Sequence, residues 1–130
     1  MKRALTKEGD YECNLPAPRF LDVKAILEWL VKGKKHLLSV HGNDFSWKDR
    51  GALLDATVKL GSPQLSFRLI SPELIGNGKG DKTNLVVALR DEDGVEEFGQ
   101  MPKGGNDEGR TATPLQIATI VAWIDAGCPE

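Results

Sequence analysis

Apolar residues recur at helical spacing in two stretches of the chain. In the first, Val23, Ile26, Leu27, Leu30 and Val31 fall at i, i+3, i+4, i+7 and i+8, which predicts an amphipathic helix over Asp22–Lys32. Asp22 is the expected cap, Glu28 and Lys32 form an i,i+4 pair, and Gly33 supplies the stop. The second stretch opens Thr113-Pro114-Leu115-Gln116, which places a cap, a proline at the first helical position and a reciprocal capping-box glutamine. Leu115, Ala118, Val121 and Ile124, flanked by Ile117, Ile120 and Trp123, then give an apolar surface so wide that the helix is expected to be largely buried. Gly127 ends it.

Between these helices the pattern is weaker. Arg50–Leu60 carries a helical or extended run around Leu53, Leu54 and Val58, and Leu65–Ile70 alternates like a strand. Thr83 is placed to cap a short helix through Leu85, Val86, Val87 and Leu89. Residues 91–112, with their acidic cluster and glycines, read as loop. Residues 1–20, polar and broken by Pro16 and Pro18, read as an N-terminal arm preceding a domain over 21–130. There is no internal repeat. The pattern predicts a mostly α domain with long irregular loops and room for one short β-hairpin. Trp29 and Trp123, one on each strong helix, are expected at a helix–helix contact.

Composition narrows the function classes. The 130 residues are 40% hydrophobic and 28% charged, close to a globular average, and suffice for one core without staples. Seventeen basic against nineteen acidic residues give a net charge of −2, which argues against nucleic-acid binding through bulk positive charge. No apolar run approaches the ~20 residues of a membrane span, so no membrane insertion is expected. Met1-Lys2-Arg3 leads into polar sequence without an apolar core, so no secretory signal is expected in the chain as written, and the compartment is left open.

The familiar chemical motifs fail one by one. Gly76–Thr83 nearly spells a phosphate-binding loop, but Asp81 replaces the second glycine and sets negative charge where a phosphate oxygen would lie. His36 and His41 are the two histidines, with no cysteine or carboxylate in ligand register. No nucleophile elbow is present, and neither Cys13 nor Cys128 stands in a CxxC pair. The residues 91–93 are most simply a solvated acidic loop. No enzyme is expected.

One ordered arrangement is more specific. Leu37-Leu-Ser-Val40-His41-Gly42 follows the first helix, Gln100-Met101-Pro102 comes much later, and Trp123-Ile-Asp-Ala-Gly127-Cys-Pro closes the chain. This order resembles a small cytochrome c domain of the type common in large planctomycete-like bacterial proteins. There, a helix leads into CxxCHG, a Met-Pro loop gives the distal ligand, and a "WI-x-x-G-A-P" helix ends the fold. Gly51-Ala-Leu-Leu-Asp55 is similar to the family's "GLRLD", and Gly78-Lys-Gly-Asp-Lys-Thr-Asn-Leu-Val86 to its "PGKPDKSLL", so the resemblance spans about residues 20–129.

The resemblance implies His41 as proximal and Met101 as distal haem ligand, with Leu85, Val86, Trp123 and Ile124 facing either a cofactor or one another. Leu37 and Val40 stand where the family has its two haem-attaching cysteines, and neither side chain can form a thioether. Two expectations follow. The first is a haem-free structural or interaction subunit that works with another protein or a larger complex. The second is an electron-transfer protein holding haem non-covalently through His41 and Met101. Family members are usually extracytoplasmic. Helix packing would bring Cys13 and Cys128 within reach of each other; an oxidising compartment would allow a bridge and the cytosol would keep them reduced, and the reduced state is the one expected.

Overall fold

A computed structural model describes residues 17–33, 45–60, 65–97 and 99–130. It is helix-rich with one small hairpin. In chain order the elements are α1 (Phe20–Leu30), α2 (Arg50–Asp55), β1 (Thr57–Leu60), β2 (Leu65–Arg68), α3 (Asn84–Arg90) and α4 (Pro114–Asp125). Single 3-10 turns lie at Pro72–Leu74, Gly80–Lys82 and Val95–Glu97.

α1 starts two residues before the expected cap. Arg19 is the capping position, and Asp22 acts from inside the first turn, its carboxylate accepting the Arg19 N–H at 2.8 Å. An acidic group there also answers the positive end of the helix. Phe20, assigned from sequence to the arm, thereby enters the core. It is buried with Val23, Leu27 and Leu30 along one stripe.

α4 carries both predicted halves of its capping box. Thr113 Oγ1 accepts from Gln116 N at 3.1 Å, and Gln116 Oε1 accepts from Thr113 N at 2.9 Å. Its other end is closed by two nested bonds, Gly127 N–H to Ile124 O at 3.0 Å and Cys128 N–H to Trp123 O at 2.9 Å. That closure needs a left-handed residue, and Gly127 takes φ 94. The helix is less buried than its sequence suggests. Ile120, Trp123 and Ile124 are fully enclosed, but Leu115 is 77% exposed and Ala118 and Ala122 face outward. Leu115 sits in the first turn, and the contacts of α1 and α3 cover one side of the helix rather than its whole circumference.

α1 and α3 both pack on α4. The aromatic partner of Trp123 is Phe20, with ring centroids 6.3 Å apart and planes tilted by 46°. Trp29 is only partly buried, because the buried stripe of α1 runs through Leu27 and Leu30 and leaves position 29 to one side. A third tryptophan takes up core space instead: Trp47 is buried, meets Phe45 edge-on at 5.5 Å and donates Nε1–H to Glu28 Oε2 at 2.6 Å.

The middle of the chain resolves into a helix and a hairpin. Asp49 caps α2 by accepting from Ala52 N at 2.8 Å. β1 and β2 pair antiparallel with Val58 opposite Phe67 and Lys59 opposite Ser66. Beyond the pairing, Leu69 and Ile70 run into the core, and Leu69 O accepts from Leu85 N at 2.8 Å, which docks the hairpin on the first turn of α3. Thr83 caps α3 as the sequence predicts, accepting from Val86 N at 3.4 Å.

Candidate functional site

The site built from sequence has two residues, and the structure describes one of them. His41 lies outside the described residues, as do His36, Leu37, Val40 and Cys13. Met101 is described, half-buried, with its side chain against the hydrophobic core. Its backbone N–H donates to Ala88 O in α3 at 2.7 Å, and the Met101-Pro102 peptide is cis.

Gln100, one residue earlier, makes the same junction from its side chain. Its Nε2 donates to Leu89 O at 2.9 Å while its backbone N–H donates to Glu92 O at 3.0 Å. The last carbonyls of α3, which have no partner inside the helix, are thereby satisfied by the Met101 segment.

The other end of this loop is held by Asn106, a residue with no assigned role in the sequence. It is 2% exposed, and its side chain bonds through both its nitrogen and its oxygen. Nδ2 donates to Trp29 O at 3.1 Å at the end of α1, and Oδ1 accepts from Glu108 N at 2.9 Å and Arg110 N at 3.1 Å. Asp107 N–H adds a bond to Lys32 O at 3.1 Å, and Lys32 pairs with Glu108 at 2.7 Å. Bonding to Lys32 holds the Glu108 carboxyl below its ordinary range, and the same pair raises Lys32. The signal was available: an asparagine between glycines is the residue type that folds a loop back on its own amides. What the sequence withholds is that its amide nitrogen reaches α1.

The near-miss phosphate loop is occupied by its own structure. Gly80 N–H donates to Asp125 Oδ1 at 2.8 Å, Gly76 N–H to Ile124 O at 3.0 Å, and Thr83 N–H to Gly80 O at 3.2 Å. Thr83 Oγ1 itself donates to Gly80 O at 2.8 Å. A Cβ at residue 80 would come within 2.8 Å of Asp125 Oδ1 and 3.0 Å of Ile124 Cβ, so glycine here serves close packing against α4. The acidic stretch lies at the surface, with Glu92 and Asp93 exposed and Asp91 paired to Arg90 at 2.7 Å, which lowers the Asp91 carboxyl.

Cys128 is fully buried, and burial pushes its thiol up to about 11 against a small opposing effect of Arg50. A thiol so protonated is a poor nucleophile and a poor metal ligand. Its expected relation to Cys13 lies outside the described residues. Among the described residues no cluster of three His, Cys, Asp or Glu side chains is arranged to hold a metal ion. No described helix is long and apolar enough to cross a membrane. Leu85, Val86, Trp123 and Ile124, the four residues expected around a cofactor or around one another, belong to one core cluster. Compared with protein-family models, curated proteins and solved structures, the chain matches none.

Proposed function

We propose that the chain is a cytochrome c-like module without covalent haem, working as a structural or protein-interaction subunit and not as an enzyme. The observation that carries this reading is the segment Leu37-Leu-Ser-Val40-His41-Gly42, which sets two branched apolar side chains where thioether formation requires two cysteines. Burying those two side chains fully would contribute roughly 1.5–3 kcal/mol each, a gain that haem entry would have to replace with its own contacts and ligand bonds. The packing of the first and last helices around Trp123, and the Met-Pro loop leaning on the core beside α3, are in keeping with the resemblance.

A second reading has one observation in its favour. Met101 is anchored by its backbone and half-buried, which suits a thioether held ready as an axial ligand opposite His41. In that case haem is bound non-covalently and the module carries electrons. Absorbance of the protein isolated with haem supplied, and after incubation with haemin, separates the two. The haem-free reading expects cooperative folding and no Soret band. A sharp Soret band lost or shifted in both His41→Ala and Met101→Ala refutes it in favour of the electron carrier.

A further inference from the structure

The residues after α4 are held in an unusual way. Three successive carbonyls, of Cys128, Pro129 and Glu130, each receive donors from other parts of the fold. Arg50 Nε of α2 donates to Cys128 O. Phe20 N–H, at the start of α1, donates to Pro129 O at 3.0 Å, and Trp123 Nε1 donates to the same oxygen at 2.7 Å. Arg19 Nη1 donates to Glu130 O at 3.3 Å. Segment 127–130 therefore ties together α1, α2 and α4, and nearly all of that attachment is polar. Cys128 is its one fully buried side chain, Pro129 is half-buried, and Gly127 and Glu130 are exposed.

Where the segment leaves the helix, two consecutive residues have left-handed backbone, Gly127 at φ 94 and Cys128 at φ 58. Glycine adopts this without cost, but a residue with a Cβ is strained there. An added Cβ at Gly127 would meet nothing within 4 Å, so that side of the residue is open, while its N–H stays bonded to Ile124 O at 3.0 Å. The ingredients are those of a hinge followed by a strap: a glycine pivot open on one side, a strained residue that relaxes on release, and one small buried side chain.

We propose that residues 127–130 form a releasable strap, which opens about Gly127 while the helical core stays folded and thereby uncovers the Cys128 thiol and the edge of Trp123. Arg50 is its main clasp, because its guanidinium supplies a charged donor from an element otherwise separate from the α1–α4 contact. The device is independent of the haem question. It makes a thiol that is inert in the closed fold available on opening, without global unfolding.

The test uses the Cys13→Ser protein, in which Cys128 is the one thiol, and follows its reaction with an aromatic disulfide reagent at increasing urea. Local opening exposes little surface, so the labelling rate is expected to be nearly independent of urea below the unfolding transition and roughly tenfold or more above the rate allowed by global unfolding. Arg50→Gln should raise that plateau roughly 3- to 10-fold, the equivalent of one lost hydrogen bond. A rate that climbs with urea along the global unfolding line, or a plateau that Arg50→Gln leaves unchanged, overturns the proposal. Should Arg50→Gln fail to fold, the urea dependence in the Cys13→Ser protein decides by itself.

Discussion

Trp123→Ala gives the most direct check on how the fold is held. The indole is 0% exposed, lies 6.3 Å from the Phe20 ring, and donates Nε1–H to Pro129 O at 2.7 Å. A buried tryptophan removes about 150–250 Å² from water, worth about 4–6 kcal/mol at 25 cal/mol/Å². Measured truncations of buried aromatics, which include partial collapse around the cavity, fall near 3–5 kcal/mol. The expected loss is therefore about 3–5 kcal/mol. With a urea slope of about 1.5 kcal/mol/M, the midpoint should drop by about 2–3 M.

Trp123→Phe retains a ring but orphans one lobe of Pro129 O, and should cost about 1–2 kcal/mol. Trp29→Ala, at the half-buried position, should cost less than Trp123→Ala. Equilibrium urea unfolding followed by far-UV circular dichroism measures all three. If the total stability lies at the low end of the usual range of about 5–15 kcal/mol, the alanine variant will be largely unfolded in buffer, and the phenylalanine variant then carries the measurement. A loss below about 0.5 kcal/mol for Trp123→Ala, the size of a surface change, would refute the reasoning.

Two further outcomes are expected. Asn106→Ala leaves Glu108 N and Arg110 N without their side-chain partner and removes one of two donors from Trp29 O, which keeps Lys32 N, and should cost about 2–3 kcal/mol, against about 0.5 kcal/mol or less for its exposed neighbour in Asp107→Ala; equal costs in thermal unfolding would show that the Asn106 bonds do not hold the loop. Because Lys32 lowers the Glu108 carboxyl in the folded state, that pair stabilises above the ordinary carboxylate range and loses its effect as pH falls through the lowered folded value. The stability difference between the natural protein and Glu108→Gln should then shrink on acidification from about pH 5 to about pH 2 and on adding salt, since both groups are exposed. A difference indifferent to both would remove the pair from the account.

The sequence by itself determined the local features. Helical spacing located α1 and α4, Thr113-Pro114-Leu115-Gln116 specified a capping box that forms in full, and Thr83 capped α3 as its hydroxyl position requires. These are decided by atoms within four residues of one another, so a linear pattern contains them. The substitution of Asp81 for a glycine was enough to argue against a phosphate site, but only the folded chain shows Gly80 bonded to Asp125, forty-five positions away.

What tertiary structure decided is the set of long-range choices among similar side chains. Two strong helices carry Trp29 and Trp123, yet Phe20 is the ring that meets Trp123, because the stripe facing α4 passes through Val23 and Leu27 and turns position 29 aside. Leu115 has the same hydropathy as residues that are buried and stays 77% exposed, since no described element packs over it in the first turn of α4. Asn106 gave no periodic signal and became the residue that binds the Met101 loop to α1. Hydrophobicity says that a side chain gains by burial. Which partner supplies the burial depends on how the helices cross, and that is settled by the whole chain at once.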